Sequence, residues 1–305
     1  MKKILLLLMM GLSILLSGCG TGLFATATTT PTATLTPLPP TETATPTQTF
    51  TVTPTFTPSP SPTAILVFQG PKQVFVPILL YHRIDVSPTG SEYYVTPDKF
   101  EEEMKLLSDW GYTTITTELL IKSINEGAEM PVRPIVITFD DGNLDNYTTA
   151  FPIMQKYGFT GVVYIVGNYL GAEKYMNADQ IREMSAAGWE VGSHSISHAD
   201  LTKVGATLQR YEIVQSRIDL ENKLGVPVLT FAYPFGISDS SAIDYAQFAG
   251  YIGGMSLGVT YDQGSFNLFT LQRREIKGYY DILKFADLLP WKGDPAFLPT
   301  GTPAP

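Results

Sequence analysis

A chain of 305 residues with a formal net charge of −9 has room for one large domain and accessory segments. That charge, with no dense Lys/Arg run after Lys2-Lys3, excludes a nucleic-acid partner held by phosphate neutralisation. The single cysteine, Cys19, excludes an internal disulfide framework, and only three histidines, His82, His194 and His198, can supply metal or acid–base chemistry.

Residues 1–19 read as a secretory signal: Lys2-Lys3, an apolar run from Ile4 to Leu16, then Ser17-Gly18 before Cys19. The apolar run is short for a membrane-spanning helix. Leu16-Ser17-Gly18-Cys19 resembles the bacterial lipoprotein processing box, which predicts an extracytoplasmic protein anchored to the membrane by lipid on Cys19. From Ala25 to Thr63, 26 of 39 residues are Thr or Pro, too little apolar surface to offset the entropy of ordering. Residues 20–73 are therefore expected to be a disordered linker, extended at about 3.1 Å per residue where proline dominates. A folded domain is expected over 74–291 and a flexible tail over 292–305.

Within the domain, apolar runs alternate with amphipathic ones. Val76–Tyr81, Tyr112–Thr116, Ile135–Phe139, Gly161–Val166, Trp189–Gly192, Val228–Tyr233 and Ile252–Leu257 read as strands, with Leu271-Gln272-Arg273 on a last one. Pro97–Trp110, Asp145–Tyr157, Asn177–Ala187, Thr207–Leu224 and Ser238–Ala249 read as helices; the first has Thr96 as N-cap, Pro97 in its first turn and Gly111 as its stop. This alternation predicts an α/β fold, a distorted (β/α)7-8 barrel with parallel strands, with a doubly wound open sheet as its rival.

The run Ile135-Val136-Ile137-Thr138-Phe139 ends in Asp140-Asp141-Gly142. Neighbouring strand residues point to opposite faces, so the backbone must turn for both acids to serve one site, and Gly142 permits that turn. Two carboxylates at a buried strand end are costly to desolvate without a positive partner. His194 and His198 follow the strand Trp189–Gly192, at the corresponding end of another strand. Two imidazoles and one carboxylate form a three-ligand set that leaves a position for water, while the neighbouring carboxylate can act as base. That chemistry is metal-assisted hydrolysis at an acyl or amide carbon.

Thr138-Phe139-Asp140-Asp141-Gly142 and His194-Ser195-x-x-His198 resemble the first two motifs of the polysaccharide deacetylase family (carbohydrate esterase family 4, the NodB-homology domain). The similarity takes in Pro77–His82 and Phe231–Gly236 and covers most of residues 76–290. It implies a distorted (β/α) barrel that removes acetyl groups from glycans. By the same resemblance Asp140 is the general base, and Asp141, His194 and His198 hold a divalent metal, usually Zn2+, sometimes Co2+ or Ni2+. Tyr233-Pro234-Phe235-Gly236 resembles the third motif, in which the Phe235 N–H donates to the oxyanion.

Two departures from the family pattern stand out. The arginine usual two residues before the proline is Ala232 here, which leaves Arg273 or Arg274 to pair with Asp140. No histidine follows His198, so His82 is left as the acid for the leaving amine, as in the subgroup that deacetylates poly-N-acetylglucosamine. The expected partner is an N-acetylated polysaccharide, and the protein is expected to act as a monomer. A decayed glycan-binding module, an O-acetyl (xylan-type) esterase and a two-carboxylate glycoside hydrolase are the alternatives. The hydrolase needs acids about 5–9.5 Å apart across the sugar, which adjacent residues used as ligand and base do not supply.

Overall fold

A computed structural model describes residues 65–293. The signal and lipid site at 1–19, most of the linker and residues 294–305 lie outside the described residues. No helix among the described residues is long and apolar enough to cross a membrane.

Seven strands form a ring: β1 (Ile78–Tyr81), β2 (Pro134–Phe139), β3 (Val162–Ile165), β4 (Glu190–Ser193), β5 (Val228–Ala232), β6 (Gly253–Leu257) and β7 (Leu271–Glu275). Each pairs in parallel with its sequence neighbours, and β1 pairs with both β2 and β7. That last pairing closes the barrel and rules out the open sheet. Tyr112–Thr116 shrinks to a two-residue strand, Thr113–Thr114, which pairs beside Pro134 and Ile135 outside the ring. Residues 65–73, assigned above to the linker, carry the strand Leu66–Gln69 instead; its apolar run pairs antiparallel with Ala128–Pro131.

The helices pack outside the ring. They are α1 (Pro97–Asp109), α2 (Thr117–Glu126), α3 (Phe151–Lys156), α4 (Ala178–Ala186), α5 (Ala206–Leu224), α6 (Ser240–Phe248) and α7 (Ile282–Asp287). α1 buries Phe100, Met104 and Leu107 and has Thr96 at its N-cap, although the Thr96 side chain makes no capping bond. The helix expected over Asp145–Tyr157 is broken into a wide turn, Asn146–Ala150, followed by α3. Pro152 explains the break, because it lacks the N–H that would continue an α-helical ladder.

Strand parity divides the apolar side chains into two clusters. Ile78, Val136, Val162, Tyr164, Ala232, Met255 and Leu271 meet inside the ring, whereas Leu79, Tyr81, Ile135, Ile137, Phe139, Val163 and Ile165 meet the helices. α2 adds Leu120, Ile121 and Ile124 to the interior cluster. Its Thr117 N–H donates to Glu190, the first residue of β4, so α2 covers the amino-terminal end of the ring. The carboxyl-terminal end stays open to the site.

Candidate metal centre and active site

The parity that fills the barrel also carries side chains into its mouth. Leu80, Thr138, Gly192 and Arg273 face inward, and two residues beyond each lie His82, Asp140, His194 and Glu275. All four of these later residues line one cleft of about 420 Å3 together with Asp141, His198 and Phe235. Gly192 is required inside the ring, since a Cβ there would fall 2.2 Å from the Tyr164 ring.

Asp141 would point outward by parity, but its backbone has φ +73° and turns the carboxylate back into the cleft. Ser195, His198 and Phe235 also have positive φ, at +67°, +61° and +61°. Such backbone is costly for residues other than glycine, and here it gathers around one site. Glu212 of α5 braces the His194–His198 turn by accepting bonds from Ile196 N–H (2.9 Å), Ser197 N–H (2.8 Å) and the Ser197 hydroxyl (2.6 Å). Ser195 Oγ accepts from His198 N–H at 2.9 Å, closing the turn.

His194 is buried and donates from Nδ1 to the carbonyl oxygen of Ala232 at 2.7 Å. A carbonyl can only accept, so Nδ1 carries the proton and Nε2 keeps its lone pair for a ligand. Burial lowers the His194 pKa, more than the nearby Asp140 and Asp141 raise it, which favours the neutral ligating form. Asp141 Oδ1 stands 3.8 Å from His194 Nε2 and 3.6 Å from His198 Nε2. Donors held at 2.0–2.2 Å around one tetrahedral zinc ion lie roughly 3.4 Å apart, so the three side chains fit such an ion.

Asp140 lies 3.6 Å from His194 Nε2 but is otherwise engaged. Arg273 donates from Nη1 to Oδ1 at 2.6 Å and from Nη2 to Oδ2 at 2.8 Å. Both partners are buried, and the guanidinium also lies 5.3 Å over the Tyr164 ring. Burial pushes the Asp140 carboxyl up, but the Arg273 charge, His194 and the Arg273 hydrogen bonds more than reverse it and hold the pKa to about 2. Arg274, one residue on, points to the other face of β7 and lies over the Tyr261 ring.

His82 lines the cleft from the end of β1. Its carbonyl oxygen accepts from Asn143 (3.2 Å) and Asn146 (2.9 Å), tying it to the turn after Asp141. Its Nδ1 is 3.7 Å from Glu275 Oε1, and its ring packs 4.9 Å from that of Tyr93. Phe235, 56% exposed, sets its ring 4.7 Å from that of His198. All seven residues singled out in the sequence thus reach one cleft.

Glu212, Glu275, Asn143 and Tyr93 were not among them. Glu275 could have been found by carrying the parity of Arg273 one step further; Glu212, on a helix with no local motif, gives no such signal.

The sequence model of the polysaccharide deacetylase family matches residues 127–253. "Putative polysaccharide deacetylase YxkH" of Bacillus subtilis (strain 168) is 30% identical over 194 residues, 64% of this chain and 67% of that protein. Poly-beta-1,6-N-acetyl-D-glucosamine N-deacetylase of Staphylococcus aureus (strain MRSA252) is 27% identical over 180 residues, 54% of this chain and 61% of that protein. Among solved structures, BC0361, a polysaccharide deacetylase from Bacillus cereus, superposes with a TM-score of 0.64 at 29% identity, covering 71% of this chain and 69% of that one.

Proposed function

This chain belongs to the polysaccharide deacetylase family, and on that premise we propose that it hydrolyses N-acetyl groups on an N-acetylglucosamine-containing polysaccharide, using a divalent metal. The observation that carries the reading is the grouping of Asp141, His194 and His198 beside an Asp140 locked by Arg273. Likeness to the staphylococcal N-deacetylase supports the substrate class.

A cation bound by Asp141, His194 and His198, most simply zinc, would lower the pKa of a bound water to about 7 and polarise the acyl oxygen. Asp140, held to about 2, is a weak base toward ordinary water, so it suits only a nucleophile already acidified by its neighbours. Asp140 takes the proton as the water oxygen bonds the acetyl carbon. The Phe235 N–H donates to the oxyanion that forms. His82 gives a proton to the amide nitrogen as the C–N bond breaks, releasing acetate and a glucosamine residue. The Arg273 fork on Asp140 supports reading the site as working rather than decayed, despite Ala232 in the third motif.

We further read Cys19 as the lipid-bearing residue of an extracytoplasmic lipoprotein, with the Thr/Pro segment as its tether. Substitution Cys19→Ala is expected to release the protein from membranes.

The test is acetate release from β-1,6- and β-1,4-linked N-acetylglucosamine oligomers and from acetylated xylan, with and without chelator. Chelator-sensitive release from the N-acetylated oligomers is expected. Release from xylan alone would overturn the amide assignment in favour of the ester, and new reducing ends would replace it with a glycosidase.

A further inference from the structure

His82 is bordered by charged groups whose partners leave one carboxylate for it. Asp140 from β2 is taken by Arg273, and Arg83 pairs with Asp145 at 2.6 Å. Glu275, at the end of β7, remains opposite Nδ1, which is buried and has no hydrogen-bond partner at the 3.7 Å separation. Glu275 is itself divided. Its second oxygen, Oε2, lies 2.5 Å from Lys277 Nζ, and the same ammonium reaches Glu92 Oε1 at 2.7 Å. Lys277 also sits 4.4 Å over the Tyr93 ring, whose other neighbour is the His82 imidazole. One lysine therefore holds both the carboxylate and the aromatic wall that border His82.

We propose that Lys277 is a positioning residue for His82, acting through Glu275. By gripping Oε2 it aims Oε1 at Nδ1, which leaves Nε2 as the ring nitrogen for the substrate. By pairing with Oε2 it also neutralises part of the Glu275 charge that faces His82. The sequence motifs of the site do not contain Lys277, whose reach to His82 exists only because ring closure sets β7 beside β1. The inference rests on the reading of His82 as proton donor, but its test does not require turnover.

With only three histidines in the chain, the ring signals of a labelled protein can be told apart, and that of His82 is assigned with His82→Gln. In Lys277→Met the His82 midpoint is expected to rise by about 1 pH unit, and in Glu275→Gln to fall by about as much, in metal-free and zinc-loaded protein alike. Lys277→Arg is expected to restore the wild-type midpoint. Glu92→Gln, at a half-exposed position, leaves Lys277 to lean on Glu275 alone and should lower the midpoint, which covers the case of a Lys277→Met protein that fails to fold. Where the oligomers are turned over, the basic limb of the kcat/KM profile is expected to move with the midpoint. A His82 midpoint unmoved in Glu275→Gln, Glu92→Gln and whichever Lys277 variant folds overturns the proposal. Normal acetate release by His82→Gln would instead remove His82 from the reaction while leaving the titration shifts intact, so the two failures read apart.

Discussion

Arg273 holds both oxygens of Asp140 from two strands away around the ring, at 2.6 and 2.8 Å, with both side chains buried. A buried carboxylate left without its cation costs about 3–5 kcal/mol, and a mispositioned general base costs about 10²–10⁴ in rate. Arg273→Met is therefore expected to lower the melting temperature sharply and to cut acetate release at least 10²-fold. Arg273→Lys keeps the charge but loses the fork, so it should fall between the two. The double variant Arg273→Met/Asp140→Leu is expected to regain much of the stability and none of the activity. Full activity in Arg273→Met would refute the role given to this pair.

The donor set of Asp141, His194 and His198 should make stability depend on metal. A ligand that binds only the folded state raises stability as its concentration exceeds its dissociation constant, by about 2.7 kcal/mol at a hundredfold excess. Zinc is expected to raise the melting temperature of the wild-type protein, and Asp141→Ala and His194→Ala should erase that rise. A thermal scan with and without chelator reads this directly. Equal zinc responses in wild type and Asp141→Ala would show that the ion binds elsewhere.

Much of this site was legible because strand parity is a short-range rule. Once Ile135–Phe139 is a buried strand, Asp140 continues the inward set of Val136 and Thr138, whereas the sequence leaves Arg273 and Arg274 open and the structure decides between them. The finer tertiary features were not legible. The barrel pattern implies that the last strand meets the first, and parity carries Glu275 to the cleft. Its approach to His82, however, depends on the register of β7 against β1, which no local signal gives. Positive φ at Asp141, His198 and Phe235 is likewise invisible in residue types that usually avoid it. α2 was missed because Tyr112-Thr113-Thr114-Ile115-Thr116 reads as a β-branched strand that runs into it, although the Thr116 hydroxyl caps the helix by accepting from Leu119 N–H at 3.1 Å.

Glu212 carries the turn between the two histidines without touching a metal ligand's side chain. Its carboxylate satisfies two backbone N–H groups and one hydroxyl. Loss of an outer partner of this kind typically weakens metal affinity by about 10–100-fold. Glu212→Leu is expected to reduce zinc affinity by that factor and to destabilise the fold through the donors left unpaired. Isothermal titration with zinc measures the first effect; wild-type affinity in a folded Glu212→Leu protein would assign Glu212 to stability alone.

Glu103 offers a pH dependence that is independent of the site. It lies buried on α1, where it accepts a hydrogen bond from the Tyr81 hydroxyl at 2.8 Å. Burial pushes its carboxyl up to about 8, although the Tyr81 bond and the Lys99 charge pull it down. The folded state thus binds a proton that the unfolded state releases near the ordinary value of 4.5. The resulting stability is fully present below that value and is lost as pH rises toward about 8, at about 1.4 kcal/mol per pH unit across the window. Glu103→Gln keeps an acceptor for Tyr81 and removes the titration. Urea unfolding of the wild type is expected to weaken steadily from pH 5 to pH 8, and the Glu103→Gln profile should lack that slope and lie above the wild type at pH 8. Parallel profiles for the two proteins would place the charged form of Glu103 in the native state throughout.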